Sequence, residues 1–386
     1  MKNQINYKSY LTVISSFMIM LCLGGVYAWS ILAAKLKEEY GFGTAEVQLI
    51  FGTLIAVFPA TMILAGRLGN RIKPTTHAII AAVFFTSGYL VSGFSNGNFW
   101  LLLTGTGVLT GIGTGFGYLT ALTTPVKWFP EKKGLVTGIA AAGFGLASVL
   151  LSMLIEYMFL HQINIADVFV TIGLIYGSLI VIFAVFLKNP DQKEQKTNIT
   201  VSFFLKEKHF IKLLAGIFAG TFAGLLVIGN LSSIGAEFEI ENHLLVVGVS
   251  VFAVANFAGR LSWGYLSDHF DARNCIIIAL LFQGLAIFLT GYLPLTSGLY
   301  ILLSGMIGFG FGANFVLFAK DTSRHFGNEN LGVIYPYVFM GYALAGIVGP
   351  LTGGLLYDLT SSFHYANYIA AGMSTAGAII FLISKK

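Results

Sequence analysis

Twelve long apolar runs punctuate the sequence, at roughly 10–34, 45–66, 76–94, 98–122, 134–156, 165–187, 210–233, 243–266, 274–292, 296–319, 331–354 and 363–384. Wound as an α-helix, about 20 apolar residues match the thickness of a bilayer's hydrocarbon core. Lipid supplies no hydrogen-bond partners, so each spanning segment must satisfy its own backbone, and a helix does so. The runs therefore predict an all-α membrane protein with twelve transmembrane helices. Composition agrees, with 56% of residues hydrophobic and 10% charged, against about 25% charged in soluble domains.

Lys2 and Lys8 precede the first run, as charges precede a signal peptide. Its apolar part is longer than the roughly 7–15 residues of such a segment, so it is expected to remain as the first helix. Cys22 and Cys275 lie far apart in the chain and predict free thiols, with no disulfide framework. With the N-terminus placed inside, 19 Lys and Arg residues fall on the cytoplasmic side and only Lys35 and Lys37 outside. That bias orients the chain with both termini cytoplasmic, and the short loops with no targeting segment fit a multi-pass protein of the cell (inner) membrane. The net charge of +5 thus reports topology and implies no nucleic-acid partner.

One basic residue is left over. Arg260 sits eight residues before Asp268, inside "VANFAGRLSWGYLSD". A charge placed there costs about 2.5–3.5 kcal/mol on insertion scales, and snorkelling would leave the guanidinium about one turn short of the interface. The alternative is a water-filled cavity in which the planar fork binds an anion. Asn256, four residues earlier, shares its helix face.

The chain is also a repeat. "GRLGNRIKP" from Gly66 answers "GYLSDHFDAR" from Gly264 at an offset of 198, and "GIGTGFGYL" from Gly111 answers "GFGFGANFV" from Gly308 at 197. Residues 1–187 and 210–386 form two six-helix halves joined by a charged cytoplasmic linker, 188–209, the organisation of a two-bundle transporter. The linker's tail, "VSFFLKEKHFIKLL", suits either an amphipathic interfacial helix or a solvated connector. Gly111, Gly113, Gly115 and Gly117 lack the Lys-Ser/Thr of a phosphate loop. Spaced by four, they form small-x-x-x-small stripes for close helix packing, as do Gly305, Gly308, Gly310 and Gly312.

The Gly-x-x-x-Asp/Asn-Arg/His loops after the second and eighth runs resemble the signature of the major facilitator superfamily. More narrowly, "GGVYAWSIL", "GTGFGYLTALTTPVKWFPEKKGLVTG" and "NFAGRLSWGYLSD" resemble the oxalate-formate antiporter family, which is related to the monocarboxylate transporters. The resemblance implies two pseudo-symmetric six-helix bundles working by alternating access on a small organic anion, as a monomer in the lipid bilayer, with no cofactor and no enzymatic activity. It places the substrate-binding arginine at Arg260, and it matches Tyr27 and Tyr118 to tyrosines of the substrate cage and Phe311 and Phe315 to its tenth-helix positions. Asn256 stands where proton-coupled relatives carry an aspartate, and Tyr342 where the family carries a second cation, a lysine. One fixed charge suits one carboxylate, since a dianion would keep unpaired charge in a low-dielectric site. A formate-, lactate- or pyruvate-class monocarboxylate is therefore expected, with an oxalate or dicarboxylate antiporter, a drug or sugar transporter, or a transporter-like sensor as alternatives. Asn70, Arg71, Asp268, Lys132 and Lys133 are expected to form an inner gate; a purely topogenic loop is the plainer alternative. Glu156 and Asp167 lie near outer helix ends, the remaining carboxylates are expected in loops, and all seven histidines in or beside loops. No buried proton relay is expected, which favours facilitated diffusion or anion exchange.

Overall fold

A computed structural model describes residues 7–69, 71–190 and 201–383. Among these there is no strand, and twelve helices are long and apolar enough to cross a membrane. The spanning helices are α1 (Tyr7–Leu23), α2 (Thr44–Leu68), α3 (Pro74–Gly93), α4 (Phe99–Trp128), α5 (Lys133–Leu160) and α6 (Ile165–Ala184). The remainder are α7 (Lys208–Ala236), α8 (Asn242–His269), α9 (Ala272–Tyr292), α10 (Ser297–Phe326), α11 (Leu331–Thr360) and α12 (His364–Ile383).

Local chemistry sets several helix starts. The side chains of Asn98, Asn164, Asp271 and Thr296 accept from backbone N–H groups in the first turns of α4, α6, α9 and α10, satisfying donors that a helix leaves unpaired. Pro74 opens α3, where its missing N–H costs nothing. The first run, expected as one helix over 10–34, is interrupted: Gly24–Ala28 is a 3-10 turn, and a further helix, Trp29–Tyr40, carries Lys35 and Lys37. Tight packing accompanies the break, because a Cβ at Gly24 would lie 2.6 Å from the Cα of Phe144 and 2.8 Å from Ala147.

The chain divides into two compact units. One comprises Met1–Pro130, Ile139–Thr197 and Asn328–Pro336, the other Glu131–Gly138, Asn198–Gly327 and Tyr337–Lys386. In the first, α3 packs on α4 and α6, α1 on the same two helices, and α2 on α4. In the second, the same pairs recur six helices later: α9 on α10 and α12, α7 on the same two, and α8 on α10.

The glycine stripes make these contacts possible. Cβ atoms at Gly111 and Gly115 would press on Val57 at 3.0 Å and Phe58 O at 2.6 Å in α2, and one at Gly113 on Phe85 N at 2.6 Å in α3. In the second unit, Gly308 and Gly312 face Phe252 and Asn256 of α8, and Gly310 faces Gln283 of α9. The exits of α6 and α12 are tied down by different means. Thr12, Thr75 and the Trp128 indole donate to the carbonyls of Phe186, Leu187 and Lys188. Arg273 donates to those of Phe381 and Leu382.

Candidate functional site

The middle of α8 holds a fully buried charged side chain. Arg260 is 0% exposed, deep in an apolar helix whose positions one turn away are Asn256, Phe257, Trp263 and Gly264. Its Nε donates to Asn256 Oδ1 at 2.9 Å, the i, i+4 geometry that one helix face provides. Its guanidinium carbon lies 4.2 Å from the centre of the Phe315 ring, within cation–π range.

Backbone contact between α8 and α10 brings that ring into place. A Cβ at Gly312 would lie 2.5 Å from Asn256 O and 3.0 Å from Arg260 N, and one at Gly259 3.0 Å from the Cα of Phe309. Phe315 meets Phe311 at 5.1 Å and Tyr342 at 5.4 Å between ring centres, and Tyr342 meets Phe339 at 4.9 Å. The second unit thus gathers Arg260, Asn256, Phe311, Phe315 and Tyr342 into one buried cluster with a single cation among those five. One turn further along α8, the Trp263 indole donates to Phe309 O of α10 at 3.2 Å.

Two expected residues belong to the other unit. Tyr118 is buried there, with its ring 5.1 Å from Phe58 and 5.2 Å from Phe144. Tyr27 lies in the 3-10 turn after α1, and its side chain is outside the described set.

The expected gate is partly resolved. Asp268, 5% exposed at its side chain, accepts from the backbone N–H groups of Gly134 and Leu135, both at 2.8 Å, and forms an ion pair with Lys320. Its carboxylate therefore caps the first turn of α5, where helix N–H groups and the dipole favour negative charge. Lys132 is exposed and Lys133 half-buried on that turn, and Arg71 is exposed. Asn70 lies outside the described residues. Lys320 is a partner for Asp268 that the sequence did not show. Arg324 pairs with Asp271 at 2.9 Å one turn further along α10.

The structure corrects two expectations. Asp321 does not fall in a loop, because α10 continues to Phe326 and leaves it 5% exposed. It accepts from His209 of α7 at 2.9 Å, and that imidazole stacks on His325 at 3.9 Å between ring centres. His77 is likewise buried in the first turn of α3, 3.3 Å from Thr120 Oγ1. A buried acid, Asp321, and one buried histidine, His77, thus exist among the described residues, and the exchange reading cannot rest on their absence. Arg260 and Asn256 are also not alone among buried polar side chains at mid-helix: Gln283 and Asn314 are 0% and 1% exposed. Single amides inside apolar runs carry no periodic signal, so only packing reveals which way they face.

Comparison with known proteins identifies the architecture. A family model described as Major Facilitator Superfamily matches residues 12–350. The chain belongs to this superfamily. Among solved superfamily structures, the transporter FucP superposes with a TM-score of 0.76 at 14% identity, covering 98% of this chain and 100% of its own. The oxalate:formate antiporter of Oxalobacter formigenes is 26% identical over 367 residues, 92% of this chain and 85% of that protein. The apicoplast pyruvate carrier 1 of Toxoplasma gondii is 23% identical over 451 residues, 88% and 82% of the two chains. The chain is thus a multi-pass secondary transporter of the major facilitator superfamily, related to the oxalate-formate family.

Proposed function

We propose that this transporter carries a small monocarboxylate of the formate, lactate or pyruvate class across the cell membrane by alternating access, as an exchanger or a facilitator, with both termini cytoplasmic. The observation that carries this reading is Arg260: fully buried, oriented through Nε by Asn256, and stacked on Phe315. A guanidinium held in this way is a planar fork whose geometry matches a carboxylate bidentately. Tyr342, at the place of the family's second cation, supplies a hydroxyl and no charge, which favours one carboxylate over two. Relatives named for oxalate:formate exchange and for pyruvate support an anionic cargo. Tyr27 and Tyr118 belong to the same proposal as hydroxyl donors of the first half. Gln283 and Asn314 do not turn the reading toward sugars, because their amide N–H groups are engaged within the protein: Asn314 Nδ2 donates to Gln283 Oε1 and Phe311 O, and Gln283 Nε2 to Gly220 O.

Proteoliposomes loaded with or without a counter-anion test it through uptake of labelled formate, lactate, pyruvate and oxalate. Uptake of the monocarboxylates that Arg260→Ala abolishes is the expected result. Equal uptake by parent and Arg260→Ala would remove the anion site, and a marked preference for oxalate would overturn the argument from Tyr342.

A further inference from the structure

Behind the Arg260 cluster, on the far side of α10, lies a chain of buried amides. Asn314 Nδ2 donates to Gln283 Oε1 of α9 at 3.2 Å and to Phe311 O of its own helix at 3.1 Å. Gln283 Nε2 donates to Gly220 O of α7 at 2.8 Å. The amide groups are set by these partners, since each Nδ2 or Nε2 meets a carbonyl oxygen. Three helices are joined through two side chains.

The site of attachment on α10 is specific. Asn314 adjoins Phe315 in sequence and ties to the carbonyl of Phe311, so it grips the turn whose Phe315 ring reaches both Arg260 and Tyr342. The opposite face of that turn meets α8 through Gly312, and Gly308 meets α8 one turn earlier. On the amide side, glycines again allow close approach: a methyl at Gly220 would overlap Asn314 Oδ1, and one at Gly310 would come within 2.8 Å of Gln283 Cβ. Glycine contact alone lets a helix shift by fractions of a turn, whereas directional hydrogen bonds on the other face select one register. Interhelical amide bonds add little stability in a membrane, because the inserted but unpacked helices find other partners. Two amides kept in an apolar core therefore point to geometry.

We infer that Gln283 and Asn314 are positioning residues for the anion site, holding the Phe311–Phe315 turn of α10 in the register that places Phe315 against the Arg260 guanidinium. This rests on the reading of Arg260 as the anion's partner. Loosening the tie lets Phe315 move off the guanidinium, which then loses orientation and affinity while the transport cycle itself continues.

Initial rates of labelled formate and pyruvate uptake into proteoliposomes, measured across substrate concentration, separate the possibilities. Asn314→Leu and Gln283→Leu are each expected to raise KM about 5-fold or more, and the double variant to be no worse than either single one, since both break the same chain. The comparison variant is Ser374→Ala, which removes another buried interhelical bond, to Leu280 O at 2.8 Å; its KM is expected to stay at the parent value. An unchanged KM in Asn314→Leu, with Vmax falling only in proportion to folded protein, would reduce the amides to helix ties and overturn the inference. Arg260→Ala runs in parallel. If it abolishes uptake while Asn314→Leu keeps the parent KM, the positioning role alone is lost. If it transports like the parent, the anion site and the positioning role fall together.

Discussion

The two repeats fill the same place with opposite chemistry. In the second unit α8 presents Asn256 and Arg260 to Phe315 of α10. At the repeat offset, the equivalent residues of the first unit are Phe58, Met62 and Tyr118. Phe58 and Met62 are 1% and 0% exposed, and Phe58 meets the Tyr118 ring at 5.1 Å. A methionine thus packs this crossing in one half, while the other buries a guanidinium at a cost of several kcal/mol. Packing does not require the charge, so the charge is there for something else.

Making the second unit resemble the first tests that conclusion most severely. Arg260→Met should cut monocarboxylate uptake by about 100-fold or more, the effect of removing one partner of a desolvated charge pair worth roughly 3 kcal/mol. Its thermal unfolding midpoint should match or exceed the parent's, because an apolar side chain of similar length replaces a buried ion. Uptake that survives the change would show that the two sites differ in packing alone.

The reverse exchange should fail for a structural reason. Met62→Arg puts a guanidinium beside Phe58, where the second unit has the Asn256 amide to orient it, and should cost about 3 kcal/mol. The readout is a loss of folded protein in detergent, by size-exclusion profile and unfolding temperature. A fully stable Met62→Arg would mean that Asn256 adds nothing to the tolerance of Arg260.

The helix ends differ in the same manner. Where the second repeat has Asp268, capping α5 and paired with Lys320, the first has Asn70. Asp268→Asn keeps an acceptor for one N–H but loses the charge, and should lower stability by about 1–2 kcal/mol, measured as a fall in unfolding temperature. The Lys320→Met variant should reproduce most of that fall, and adding it to Asp268→Asn should change little further.

The smallest effect is expected where the two units are chemically closest. Phe315→Tyr introduces the residue that the first repeat carries at Tyr118 and retains an aromatic face for Arg260. Its KM should move by no more than about 3-fold, whereas Phe315→Leu, which removes the cation–π contact of about 1–2 kcal/mol, should raise KM about 10-fold. Equal KM values for the tyrosine and leucine variants would separate Arg260's affinity from the ring beneath it.

Much of this was legible in the chain. Span number follows from run length, because lipid enforces helices and 1.5 Å per residue fixes how many residues cross. The repeat shows in two motif pairs, and Arg260 stood out because a charge is improbable inside an apolar run. Asp321 was misplaced for the converse reason. Hydropathy ends the tenth run at about residue 319, yet Lys320, Asp321 and Arg324 each find a partner on another element, and hydropathy registers where a run stops being apolar, which is not where its helix stops. The 3-10 turn at Gly24–Ala28 was hidden because its residues are as apolar as the helix around it, and only the approach of the Phe144 backbone marks it.

By itself, then, the sequence determined the class of fold, the twofold repetition and the one anomalous cation, since all three depend on properties that add up along the chain: apolar length, motif spacing and charge. Tertiary structure decided who touches whom: Asp268 with Lys320, His209 with Asp321, Asn314 with Gln283, and Phe315 beneath Arg260. Those partners are set by which face each helix turns to its neighbour. That choice depends on glycine clearances and hydrogen-bond geometry between segments tens of residues apart, and no local pattern encodes it.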